Sequence, residues 1–93
     1  MANADIIGMV AAVLTTLSFA PQALHVIRTD DTKAISLTMY VLFVTGLVCW
    51  EIYGLLIHSV PVIIANIVTI ALALIILTQK IRHVLAERER VNP

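Results

Sequence analysis

Hydrophobic positions fill three long stretches of this chain, and polar positions collect between them. The first stretch runs from about Asp5 to Ile27, with no Lys, Arg, Asp or Glu between Asp5 and Arg28. At ~1.5 Å of rise per residue, a helix of that length crosses a hydrocarbon core of about 30 Å. Asp5 or Asn3 can cap its start, where a carboxylate also suits the positive end of the helix dipole. Arg28 to Lys33 then forms a short hydrophilic connection. The second stretch opens at Ser36, a residue type suited to an N-cap, runs to about Ile57 and holds one charge, Glu51. His58 to Pro61 makes a tight turn, with Pro61 at the start of a third stretch, 61–79, that has no charge and one strongly polar interior residue, Asn66. Residues 80–93 are hydrophilic and mixed in charge, a tail expected to prolong the third helix and fray to a disordered end.

One interruption breaks the first stretch: Pro21-Gln22, preceded by Ser18, Phe19 and Ala20. A proline there cannot donate to the Leu17 carbonyl and crowds it, so the helix is expected to bend or open. In lipid a freed carbonyl needs a partner. The polar residues flanking the break, Thr15, Thr16, Ser18 and Gln22, are the local supply. Two readings follow: a kink that only shapes packing, or a hinge facing a cavity.

The composition, 60% hydrophobic and 13% charged, is that of an integral membrane protein rather than a soluble domain. The N-terminus lacks the positive region of a signal peptide, so the first helix is expected to stay in the mature chain. Cys49, the single cysteine, sits in an apolar run and has no intrachain disulfide partner. There is no basic patch with interleaved aromatics, phosphate loop, paired carboxylates, metal-ligand spacing or activated nucleophile. The reading is therefore neither enzyme nor nucleic-acid binder, and no cofactor is expected. All six Lys and Arg residues lie in the first connection or the tail, which share a side in a three-span topology. By the positive-inside rule that side is cytoplasmic, with the N-terminus outside and the C-terminus inside.

Depth links distant residues. From a second helix ending near Ile57, Trp50 lies ~10 Å below the outer face; Asn66 lies ~9 Å down the returning third helix. An aromatic plate and an amide at one level make a shelf for a polar, ring-shaped solute. Read singly, Trp50 is an interfacial anchor and Asn66 an interhelical glue residue. Glu51 is an ionisable group below the interface, which marks it as a functional candidate, and His58 lies seven residues on along roughly the same helix face. Met39 and Phe43, at i and i+4, form an apolar ridge, and Gly8 and Ala12 have the spacing of a close helix approach. Three helices barely surround anything, so a polar site at membrane depth calls for a second copy of the chain.

The ordered set Pro21-Gln22, Ile35-Ser36 with Met39-Tyr40, Trp50 with Tyr53-Gly54, and Pro61 with Ala65 to Thr69 resembles the bacterial SemiSWEET sugar transporters of the PQ-loop superfamily, from about Ile6 to Leu77. The resemblance implies an all-α, three-transmembrane-helix bundle with the third helix between the first two, paired as a parallel homodimer to give a 3+3 transporter. It implies that Trp50 and Asn66 of both subunits bind sugar and that Pro21, with Gln22, is the hinge of the first helix. Phe19, Met39 and Phe43 would narrow the cytoplasmic side and Tyr53 the outer side. The chain departs from the family's outer gate, where an Arg and an Asp follow the Tyr; here the stretch is Leu55 to Ser59, without fixed charge, and Glu51 stands where an apolar residue is usual. Glu51 and His58 are expected to replace part of that polarity and to make transport pH-dependent. The expected function is facilitated diffusion of a mono- or disaccharide across the bacterial cytoplasmic (inner) membrane by alternating access, with lipid and a second copy as partners. The alternatives are a proton-coupled carrier of an amino acid or other small solute that uses Glu51, and an accessory subunit in which Trp50 and Asn66 only pack.

Overall fold

The structure, a computed structural model, describes residues 3–91, so the expected disordered end at 92–93 lies outside the described residues. Three helices account for nearly all of it: α1 (Asn3–Thr29), α2 (Leu37–Leu56) and α3 (Val60–Val91). All three are long and apolar enough to cross a membrane. α1 is 27 residues and α2 is 20, lengths of ~40 and ~30 Å. α3 continues for 32 residues, so 80–91 prolong the same helix and project ~18 Å past its uncharged part.

Local chemistry sets the helix ends. Ser36, in extended backbone, accepts the Met39 N–H at 3.2 Å and so satisfies one of the free donors opening α2. At the other end of α2, His58 takes a left-handed conformation (φ 56°). The Ser59 N–H then reaches the Gly54 carbonyl at 2.9 Å and the His58 N–H reaches Leu55 at 3.3 Å, the paired bonds of a Schellman turn. That reversal brings α3 back antiparallel to α2. Gly54 is buried, and a Cβ added there would stand 2.8 Å from a Val62 methyl, so only a glycine lets the helices approach this closely.

α3 lies against both α1 and α2, whose backbones do not approach each other among the described residues. The spatial order is therefore α1, α3, α2, as the family resemblance implied. α1 and α3 run parallel in one register throughout: Gly8 faces Pro61 at one end, and Ile27 and Asp30 meet Gln79 and Arg82 at the other. The buried apolar residues, Ala23, Leu47, Ala73 and Ile76, are few and line these two seams. Most large hydrophobic side chains of α1 and α2 point outward, as lipid-facing or subunit-facing surface requires.

Candidate functional site

Trp50 and Asn66 border one groove. Four residues back along α2 and four residues on along α3 from the Gly54–Val62 contact lie Trp50 and Asn66, which sets them at one level. Both line a groove of about 300 Å³ whose other walls are Gly8, Ala11, Ala12 and Thr15 of α1 and Pro61, Val62 and Ala65 of α3. Small side chains make the room, and three groups give it chemistry. The Asn66 Nδ2 is buried without a hydrogen-bond partner, a donor left unsatisfied within the fold. Trp50 is 58% exposed and offers a ring face. Thr15 donates its hydroxyl hydrogen to the carbonyls of Ala11 (2.9 Å) and Ala12 (3.2 Å), so its oxygen keeps acceptor capacity. The sequence offers Thr15 only as a polar residue flanking the proline; its place in the groove depends on the α1–α3 register, which the sequence pattern does not encode.

The outer-side candidates separate. Tyr53 stacks edge-on against Trp50 with ring centroids 5.5 Å apart, and the two share a shallow face with Gly46 and Cys49. Glu51 turns the other way. It shares a helix face with buried Leu47 and Gly54, and both its carboxylate oxygens are buried without a hydrogen-bond partner. His58 is exposed on the α2–α3 turn and forms no ion pair with Glu51.

Toward the basic end, Phe19 of α1 meets Phe43 of α2 with centroids 6.1 Å apart, and Tyr40 closes on Phe43 at 5.6 Å. Met39 stands apart, 69% exposed, so the aromatic cluster is Phe19, Tyr40 and Phe43. α1 stays helical through Pro21. The expected local supply of donors to the Leu17 carbonyl is not used: Ser18 donates to Leu14 at 2.9 Å and Thr15 to Ala11 and Ala12, each bonding back up its own helix. Gln22 is exposed on the same side of α1.

A second polar cluster, not anticipated from the sequence, ties the α1–α2 connection to α3. Gln79 Nε2 donates to the Ile27 carbonyl at 3.1 Å and Lys80 Nζ to the Thr32 carbonyl at 2.9 Å. Asp30, left-handed at φ 52°, holds Arg82 at 2.9 Å and the His83 Nε2 at 3.2 Å, while the other nitrogen of that ring meets the hydroxyl of Thr32 at 2.5 Å. Thr32 is the one buried polar residue among the described residues, at 1% exposure. The partners of His83 lie some fifty residues upstream, beyond any local sequence pattern.

Three spanning helices around an intramembrane groove that combines an aromatic face, an unpartnered amide nitrogen and a hydroxyl define a small polytopic membrane protein. Comparison with known proteins narrows the class. Residues 4–63 match the PQ loop repeat family. The chain is 48% identical over 77 residues to the sugar transporter SemiSWEET of Leptospira biflexa serovar Patoc, covering 83% of this chain and 91% of that one. It is 48% identical over 66 residues to the sugar transporter SemiSWEET of Escherichia coli strain UMEA 3162-1, covering 71% and 74%. Its backbone matches a crystal structure of SemiSWEET in the inward-open conformation with a TM-score of 0.93, at 36% identity and with both chains fully covered. The chain belongs to the SemiSWEET family of PQ-loop membrane proteins.

Proposed function

We propose that this protein mediates facilitated diffusion of a mono- or disaccharide across the bacterial cytoplasmic membrane by alternating access. The observation that carries the reading is the groove in which Trp50 and Asn66 stand at one level, with the Asn66 amide nitrogen buried and unpartnered. A sugar ring fits such a site on both counts: its apolar C–H face lies on an indole, and its hydroxyls accept from an amide. The relatives' names support the substrate class. One chain leaves the groove open on a side, so the unit is a parallel homodimer in which a second copy completes the path. The basic residues set the orientation, with the N-terminus outside and the tail in the cytoplasm.

In this mechanism Pro21 and Gln22 form the hinge of α1, Phe19 and Phe43 with Met39 narrow the cytoplasmic side, and Tyr53 narrows the outer side. The likeness to an inward-open relative supports assigning the conformation described here to that state. Glu51 and His58 supply polarity at the outer end in place of fixed gate charges. A second reading, proton-coupled transport of an amino acid or other small solute, rests on Glu51, whose buried and unpartnered carboxylate is costly at membrane depth unless it has a task. Binding by the purified protein to a panel of sugars and amino acids separates the two. Saturable binding of a sugar, lost in Trp50→Ala and Asn66→Ala, supports the first; amino-acid binding without sugar binding contradicts it.

A further inference from the structure

Below the groove, α1 carries a second groove of about 400 Å³, lined by Leu14, Thr15, Ser18, Phe19 and Gln22. Thr15 lines both, and Gly8, Ala12 and Thr15 of the first share a face of α1 with Phe19 and Gln22 of the second. Thr15, Ser18 and Gln22 stand at i, i+3 and i+7, a strip ~10 Å long pointing from Asn66 toward the basic end. Their chemistry is graded. Thr15 and Ser18 give their hydroxyl hydrogens back to α1 carbonyls, which makes them tolerable anywhere on a membrane helix and leaves them as acceptors. Gln22 has no such arrangement. Its amide is exposed at membrane depth with no hydrogen bond to the described residues, on a helix whose other outward side chains are largely Ile, Leu and Val. An unbonded amide there is unfavourable against lipid and favourable against a polar solute. Beside it stands the Phe19 ring, braced by Phe43 at 6.1 Å.

We propose that Phe19, Ser18 and Gln22 form a second sugar-contacting level on the cytoplasmic side, repeating the aromatic, hydroxyl and amide set of Trp50, Thr15 and Asn66 two turns further along α1. Sugar leaving Trp50 and Asn66 passes from one amide to the next, with Thr15 common to both levels. Gln22 is thus a ligand of the moving solute as well as a neighbour of the hinge proline. The inference rests on the sugar-transport reading and deepens it.

Trp50 is the chain's single tryptophan, so its fluorescence reports the upper level alone. In full-length protein reconstituted in liposomes and titrated with glucose and with sucrose, Gln22→Leu is expected to keep the Trp50-reported affinity within about twofold. Its counterflow is expected to fall about fivefold or more, the loss of one hydrogen bond or somewhat over, with partial recovery in Gln22→Asn. A hinge role alone would also slow counterflow, so a second readout decides. Ser18→Cys is placed in a Cys49→Ser background that also carries Trp50→Ala and Asn66→Ala, and its labelling by a water-soluble maleimide is timed with and without each sugar. Sugar slowing that labelling about threefold supports a lower level that binds on its own. Unchanged labelling, or wild-type counterflow in Gln22→Leu, overturns the inference while leaving the upper site standing. No Trp50 response and no counterflow in the wild type with either sugar defeats the sugar reading itself, and this inference with it.

Discussion

Thr32→Val tests whether the basic-end cluster holds α1 to α3. The substitution keeps the shape of the side chain and removes one oxygen, the hydroxyl against the His83 ring at 2.5 Å. Thr32 is 1% exposed, while the His83 side chain is 34% exposed, so solvent offsets part of the loss at the ring nitrogen. Losing the bond is then expected to cost about 1–1.5 kcal/mol. The internal control is Arg82→Ala. Its ion pair with Asp30 is short, 2.9 Å, but the two side chains are 63% and 49% exposed, so solvent screens it and about 0–1 kcal/mol is expected. Thermal unfolding of the purified protein in one detergent, at one protein concentration, should lower the midpoint more for Thr32→Val than for Arg82→Ala. The double variant Thr32→Val/His83→Ala should show a coupling above about 0.5 kcal/mol. Equal midpoints for Thr32→Val and wild type, or the reverse order of the two variants, would refute the assignment of the buried hydroxyl as the centre of the cluster.

Gly54→Ala puts a methyl 2.8 Å from Val62 and should destabilise by about 1–3 kcal/mol, read as a lower unfolding midpoint; an unchanged midpoint means the α2–α3 seam is looser than described. Pro21→Ala restores a backbone donor and frees the Leu17 carbonyl from the ring, so membrane insertion and dimerisation should persist while transport is lost. Uptake at the wild-type rate would leave the proline as a family marker without a hinge role. Glu51→Gln removes the charge of a buried carboxylate without a hydrogen-bond partner and should change uptake at a fixed pH, whereas uptake at the wild-type rate would leave Glu51 without a role in transport.

How much of this was legible in advance differs between elements. The three helices follow from uninterrupted apolar runs longer than a bilayer, because spanning backbone must satisfy its own hydrogen bonds. Trp50 and Asn66 could be set near one depth by counting from a tight turn, since a constant rise converts residue number into height. Rotation is harder to count than height. The direction of Glu51, toward α3 beside Leu47 and Gly54 and away from His58, depends on which face the two helices share. The Thr15 hydroxyl joins the groove only because Gly8 meets Pro61 and sets the α1–α3 register. The clasp of Asp30 and Thr32 on Gln79 to His83 was hidden for a third reason: charged and polar residues in a connection and a tail read as solvated until a fold brings them within 3 Å or so of one another. The donors expected at the Leu17 carbonyl went elsewhere because a hydroxyl on a helix finds the carbonyl one turn back at no extra conformational cost.

Counterflow in proteoliposomes reads sugar exchange without any energy source. With the full-length protein, unlabelled sugar inside, trace labelled sugar outside and no pH or ion gradient, the wild type should accumulate label transiently. That accumulation should be lost in Asn66→Ala and in Trp50→Ala proteins that still insert and dimerise. Accumulation that requires an imposed proton gradient, or that survives both substitutions, would contradict facilitated diffusion through the groove of Trp50 and Asn66.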